Sequence, residues 1–181
     1  GHWLLSINNA LPAEYKILKG TVGIANHAFF GCDTLISISI PDGVKTIGDW
    51  AFYRCDNLTG IIIPNSVTSI GGKAFEDCSG LTNVTIGNGM KSIGDDAFRD
   101  CINLTSVFYF GDAPEIGKGV FQTKDWATYE DINIPNLTLY YIEGMDGWTT
   151  PTWNGYPTAT WVHEHSYTQT VTEPTCTEQG Y

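Results

Sequence analysis

At 181 residues, with a hydrophobic fraction of 42% and a net charge of −11, the chain can build one compact or short elongated core and is not disordered throughout. The acidic balance excludes nucleic acid, whose phosphates need basic patches, and anionic membrane surfaces. No apolar run approaches the ~18 residues of a membrane-spanning helix, while 20 glycines and 13% aromatics suit turn-rich β structure.

After an N-terminal segment, residues 1–11, a degraded unit is visible in Tyr15, Ile17, Gly20, Ile24, Ala28 and Phe29. Full units follow from Leu35, Leu58 and Leu81, and a fourth begins at Leu104, each 23 residues after the last. Equivalent positions hold Ile38, Ile61, Val84 and Val107, then Ile40, Ile63, Ile86 and Tyr109, then Val44, Val67, Met90 and Ala113. Ile47, Ile70, Ile93 and Ile116 are each trailed by glycine, and Phe52, Phe75, Phe98 and Phe121 recur further on. Five units therefore cover residues 12–126, and a repeat at fixed period outranks every other sequence signal.

Within a unit, Leu-x-x-Ile-x-Ile predicts a short strand with alternating inward side chains. Pro41 and Pro64 end two of these strands, because proline cannot donate to a ladder. Val-x-x-Ile-Gly predicts a second extended piece, with the glycine releasing the backbone for a tight corner. The x-x-Ala-Phe-x-x-Cys stretch has helix-like spacing over about one and a half turns and predicts a short helical turn. One unit buries only a thin layer, so the units must stack into a β-solenoid.

The unit Leu-x-x-Ile-x-Ile-Pro-x-x-Val-x-x-Ile-Gly-x-x-Ala-Phe-x-x-Cys-x-x resembles the leucine-rich repeat of the BspA-like family, whose members are mostly secreted or surface-anchored bacterial proteins. The resemblance implies a right-handed leucine-rich-repeat β-solenoid with a parallel sheet on its concave side and short strands and helical turns elsewhere. It also implies adhesion or protein binding without characteristic catalysis. Residues 127–161 are expected to form an aromatic C-terminal cap, since 132–161 resemble the segment that closes such arrays. Trp148, Trp153, Tyr156 and Trp161 would bury the end of the hydrophobic column or stack on sugars. The polar, Thr-rich residues 162–181 read as a linker or the start of a following module.

Cys32, Cys55, Cys78 and Cys101 share one repeat position and are expected to form a ladder at about 5 Å per step. A collinear ladder does not offer zinc a tetrahedron, and parallel inward side chains rarely reach the disulfide dihedral. The four read as free, buried, small hydrophobes. His163, His165 and Cys176 could hold a metal only with a fourth ligand that the sequence does not supply, so no metal or other cofactor is expected. The acidic residues Asp49, Asp56, Asp77, Asp95, Asp96 and Asp100 fall at corners, where they fit turns and caps, without the spacing of a calcium loop. His2 and His27 have no nucleophile or acid partner in sequence.

Twelve positions should point outward from the concave sheet: Ile36, Ser37, Ser39, Thr59, Gly60, Ile62, Thr82, Asn83, Thr85, Thr105, Ser106 and Phe108, none of them charged. A glycan-processing solenoid needs clustered carboxylates there, so the chain reads as no enzyme. A neutral, hydroxyl-rich face with isolated apolar side chains suits docking of another chain. Ile36, Ser39, Ile62, Thr82, Thr85, Thr105, Phe108 and Tyr140 form the expected binding set. The expected function is a non-catalytic binding or adhesion module, a monomer, extracellular or on a bacterial surface. Its partner would be a protein, a host protein included, or a surface glycan, with no nucleic acid and no membrane insertion. The alternatives are carbohydrate binding through the aromatic cap and, third, a glycan-processing enzyme.

Overall fold

The computed structural model describes residues 2–4 and 11–161, which form strands and turns without a helix. Each turn of the chain contributes one strand to each of two faces. The back sheet is parallel and holds β1 (His2–Leu4), β3 (Thr21–Ile24), β5 (Thr46–Ile47), β7 (Ser69–Ile70), β9 (Ser92–Ile93) and β11 (Glu115–Ile116) in that order. The front sheet runs through β6 (Gly60–Ile63), β8 (Asn83–Ile86), β10 (Ser106–Tyr109), β14 (Thr138–Ile142) and β16 (Tyr156–Trp161), with β15 (Thr152–Trp153) antiparallel at its edge. Ahead of it, β2 (Glu14–Lys16) and β4 (Ser37–Ser39) form a separate parallel pair. A hairpin of β12 (Gln122–Lys124) and β13 (Asp131–Asn133) projects between β11 and β14.

The registers reproduce the sequence period. Ile61 pairs with Val84 and Val84 with Val107, so equivalent positions of successive units lie side by side. This is the leucine-rich-repeat solenoid that the repeat predicts. Position after position, the inward set is buried: Leu35, Leu58, Leu81 and Leu104 have no exposed surface, nor do Val84, Ile86 and Val107. Phe29, Phe52, Phe75, Phe98 and Phe121 stack face to face along the axis, with centroids 4.8, 4.9, 5.0 and 5.4 Å apart.

The expected helical turn keeps its helix-like i to i+3 bonds but not a helix. Ala28, Phe30 and Cys32 donate to carbonyls three residues back, Ala25, His27 and Phe29. The residues between them, His27, Phe29 and Gly31, donate instead to Asp49, Ala51 and Tyr53 of the next turn. Each such stretch also carries left-handed residues, as at Trp50 (φ 52°) and Arg54 (φ 56°), which a right-handed helix does not admit. Alternate bonding within and between turns replaces the helix by a stacked spiral of turns.

The corner glycines also have a different cause from the expected one. Gly71 does not adopt positive φ; a Cβ there would lie 2.5 Å from Asp49 Oδ1 and 2.6 Å from Asp49 N. Close approach of successive corners therefore selects glycine. Asp49 in turn accepts the Gly72 N–H at 2.7 Å, Asn26 accepts the Asp49 N–H at 2.9 Å, and Asp95 accepts the Lys118 N–H at 2.8 Å. These side chains bond across turns, so the acidic corners are part of the stack.

Where the fourth unit departs from the repeat, the core has a polar defect. Tyr109 replaces isoleucine, and its buried hydroxyl has no hydrogen-bond partner among the described residues. An unsatisfied buried hydroxyl costs about 1–3 kcal/mol. Tyr109→Phe is therefore expected to be as stable as the parent or more stable by about 1 kcal/mol in urea unfolding. A loss beyond about 1 kcal/mol would show that the hydroxyl is bonded in solution.

Candidate binding face

The front sheet sets its outward side chains in rows. Ile62, Thr85, Phe108, Tyr140 and Ala159 lie directly beside one another on successive strands. Ser39 holds the equivalent position on β4, and Ile36 precedes that strand. Ile62 is 68% and Ile36 47% exposed, while Thr85, Phe108 and Tyr140 are half-buried by their neighbours. Phe108 stacks on Tyr140 with centroids 5.0 Å apart, and Trp161 meets Phe108 edge-on. The residues singled out from sequence thus share one face, apolar at both ends of its central row.

A second row does structural work. The Thr82 hydroxyl donates to the Thr59 carbonyl at 3.0 Å and the Thr105 hydroxyl to the Thr82 carbonyl at 3.2 Å. Thr82 and Thr105 are exposed, but their hydroxyl protons are committed to the preceding turn. They offer a partner a methyl group and an acceptor oxygen. The Thr82 oxygen already accepts from the Asn83 amide at 3.1 Å.

The cap aromatics are used in packing. Trp153 and Tyr156 are buried, Trp148 stacks on Tyr141 at 5.1 Å, and Tyr156 meets Phe121 edge-on at 5.3 Å. The Trp148 indole N–H donates to the Gly111 carbonyl at 3.0 Å. Trp148, Trp153 and Tyr156 are thus used in packing, while Trp161 is half-buried and meets Phe108 and Phe110 edge-on at 5.5 and 5.4 Å. Thr158 is buried there, and its hydroxyl donates to the Thr149 carbonyl at 2.6 Å. His163, His165, Cys176 and the proposed module start at 162–181 lie outside the described residues.

Two aromatic groups escaped the sequence reading. On the turn face of the first units, His27 stacks on Trp50 at 5.1 Å and Phe30 on Tyr53 at 4.9 Å, with the Arg54 guanidinium over the Tyr53 ring. The signal was available: both variable positions flanking Ala-Phe are aromatic in two successive units. In the next two units they become Lys73, Glu76, Asp96 and Arg99. There Lys73 pairs with Glu76 at 3.0 Å and with Asp96 at 3.6 Å, and Arg99 reaches Asp96, Asp100 and Asp131. The second group is Trp126 and Tyr129 on the hairpin loop, both highly exposed. Lys124 and Arg99 both bond Asp131 and hold its carboxyl below the usual range, tying the hairpin to the stack.

A family model described as BspA type leucine rich repeat region matches residues 12–143 in six copies. A leucine-rich repeat protein from Eubacterium ventriosum is similar with TM-score 0.59 and 25% identity, over 83% of this chain and 48% of that one. The pneumococcal vaccine antigen PcpA is similar with TM-score 0.57 and 24% identity, over 62% of this chain and 29% of that one, a likeness of fold alone. This chain spans less than half the length of either. A search of curated proteins finds no match. With the period, the parallel registers and the stacked phenylalanines all following the matched repeat, the chain belongs to the BspA-type leucine-rich repeat family.

Proposed function

We propose that this domain is a non-catalytic binding module of a bacterial surface or secreted protein, and that it docks a protein ligand on its front sheet. The observation that carries the reading is the row Ile62, Thr85, Phe108 and Tyr140, uncharged and flanked by exposed Ile36. Among the described residues no three His, Cys, Asp or Glu side chains form a group able to hold a metal, and the corner carboxylates of Asp49 and Asp95 are spent on bonds between turns. Apolar side chains scattered on a neutral face are the pattern of a reversible interface core. The setting at the cell surface is supported by the family resemblance.

The test places one charge in that row. Thr85→Lys sets an ammonium between Ile62 and Phe108, where a docking partner must desolvate it without a counter-charge. A partner first identified on a host-protein and glycan array is expected to bind Thr85→Lys at least about tenfold more weakly, a change of ~1.4 kcal/mol. Thermal unfolding should be nearly unchanged, because Thr85 points out of the sheet. Thr160→Lys, exposed in the cap, is the comparison. Thr160 lies on β16, toward the far edge of the same sheet but outside the row, so if Thr160→Lys abolishes binding and Thr85→Lys leaves it intact, the row from Ile62 to Tyr140 is not the binding site.

A further inference from the structure

We propose that the β12–β13 hairpin and the adjoining side of the stack form a second binding site, for an uncharged glycan that stacks on Trp126. The site is separate from the front sheet and does not rest on what docks there.

Exposed apolar side chains are not spread evenly over the molecule. Of the nine large ones among the described residues, four gather here: Ile102 at 54%, Trp126 at 77%, Tyr129 at 73% and Ile132 at 38%. Ile102 holds the repeat position that is Asp33, Asp56 and Ser79 in the earlier units, so the apolar side chain enters only in the unit beside the hairpin. Between Ile102 on the stack and Trp126 and Ile132 on the hairpin lies an open cavity of about 570 Å³, within the ~300–1,000 Å³ of small-ligand sites.

The rings are unspent. Trp148, Trp153 and Tyr156 pack on other rings, whereas Trp126 and Tyr129 meet no other ring among the described residues. The loop that carries them is braced at both ends. The Tyr129 N–H donates to the Asp125 carbonyl at 2.7 Å and the Asp125 N–H to the Glu130 carbonyl at 2.9 Å. Below them the Thr123 hydroxyl donates to Asp100 at 2.8 Å, and Asp131 is clamped by Arg99 and Lys124. A braced loop loses little backbone freedom on binding, so less of the contact energy is consumed in ordering it.

The lining decides the class of ligand. A pyranose offers a C–H face that lies flat on an indole and a rim of hydroxyls that need a few placed polar groups. Asp125 supplies one: a carboxylate oxygen accepts the Ala127 N–H at 2.8 Å, and the other has no partner among the described residues. The neighbouring cations, Lys124 and Arg99, are spent on Asp131. A carboxylate-bearing sugar would therefore meet Asp125 and Glu130 without a free counter-charge, which favours an uncharged one. A stable protein interface buries ~800 Å² on each side, and four side chains, with whole rings worth roughly 150–250 Å², do not supply it.

The test titrates the full chain with cellohexaose, xylohexaose, mannohexaose and N-acetylchitohexaose, with hexagalacturonate as the charged control, and follows the indole N–H signals by NMR. The Trp126 signal is assigned by its loss in Trp126→Phe. At least one uncharged probe is expected to shift that signal saturably, and hexagalacturonate to leave it in place. Trp126→Ala should weaken the binding, measured by calorimetry, at least about tenfold, while Trp126→Phe, which keeps a ring, stays within about threefold. Thermal unfolding should be nearly unchanged in both, because the ring is exposed. Thr85→Lys should bind the glycan as the parent does. No saturable shift with any uncharged probe, equal affinity in the parent and Trp126→Ala, or binding of hexagalacturonate as tight as that of the uncharged probes overturns the site. Glycan binding lost in Thr85→Lys but kept in Trp126→Ala overturns it too, by moving the glycan to the front sheet. A protein partner weakened by Thr85→Lys but not by Trp126→Ala leaves the front-sheet reading standing whichever way the glycan titration falls.

Discussion

Phe75→Ala is expected to lower the free energy of unfolding by about 3–5 kcal/mol, read as a fall in the urea midpoint at unchanged slope. Phe75 has no exposed surface and sits third in a column of five rings, between Phe52 at 4.9 Å and Phe98 at 5.0 Å. The interplanar angles there are 4° and 1°, so both faces of the ring are covered by other rings. Truncation removes the transfer energy of the benzyl group and leaves a gap as well. Collapse into that gap is opposed by the scaffold. Phe75 N–H bonds the Ala97 carbonyl and Phe52 N–H the Ala74 carbonyl, each at 2.7 Å, so the turn spacing is fixed by backbone bonds. Phe30→Ala is the contrast: that ring is 45% exposed, and its loss should cost under about 1 kcal/mol. Equal costs for the two variants would mean that the ring column does not carry the core.

The repeat made the core legible because a solenoid converts sequence period directly into spatial neighbours. Ile61, Val84 and Val107 are equivalent in sequence and adjacent in the sheet. What stayed hidden depends on how one turn meets the next. The Ala-Phe stretch has helical spacing, but its alternate amides bond the following turn, and no single-turn pattern reveals that. Gly71 looks like a flexible corner, yet it is chosen by the approach of Asp49 from the turn before. The row of Ile62, Thr85, Phe108 and Tyr140 was legible as outward positions on alternating strands. The interruption of the front ladder between β4 and β6 was not: Pro41 and Pro64 look alike in sequence, and only the second borders that interruption. The hairpin carrying Trp126 falls where the period lapses, so repeat reasoning has no hold on it.

The cysteine ladder should make the domain sensitive to alkali. Cys32, Cys55, Cys78 and Cys101 are free and buried. Each of the last three donates its thiol to a phenylalanine carbonyl, Cys55 to Phe29 at 3.2 Å, Cys78 to Phe52 at 3.0 Å and Cys101 to Phe75 at 3.1 Å. Burial pushes the Cys32 thiol up from 9.0 to about 11. Cys55 is raised by its contact with the Cys78 thiol and by burial, and burial raises Cys78 and Cys101. All four shifts favour the protonated form in the fold. Above pH 9 the unfolded chain therefore releases thiol protons that the folded chain keeps, and stability falls as pH rises. Below the ordinary thiol value both states are protonated and the contribution is fully present. Each thiol contributes a slope of up to about 1.4 kcal/mol per pH unit, so four approach roughly 5 kcal/mol per unit once the unfolded thiols are ionised. Urea unfolding between pH 7 and 11 should be flat at first and then steepen downward from about pH 9. Cys78→Ala should lower the stability at pH 7 through its cavity yet reduce the alkaline slope by about 1.4 kcal/mol per unit. At pH 8 the denatured chain should consume about four more equivalents of thiol reagent than the native one, because only the thiolate reacts and the fold suppresses it. A parent whose stability is level from pH 9 to 10.5, or a Cys78→Ala variant with the parent's slope, would show that the thiols ionise as freely in the fold as outside it.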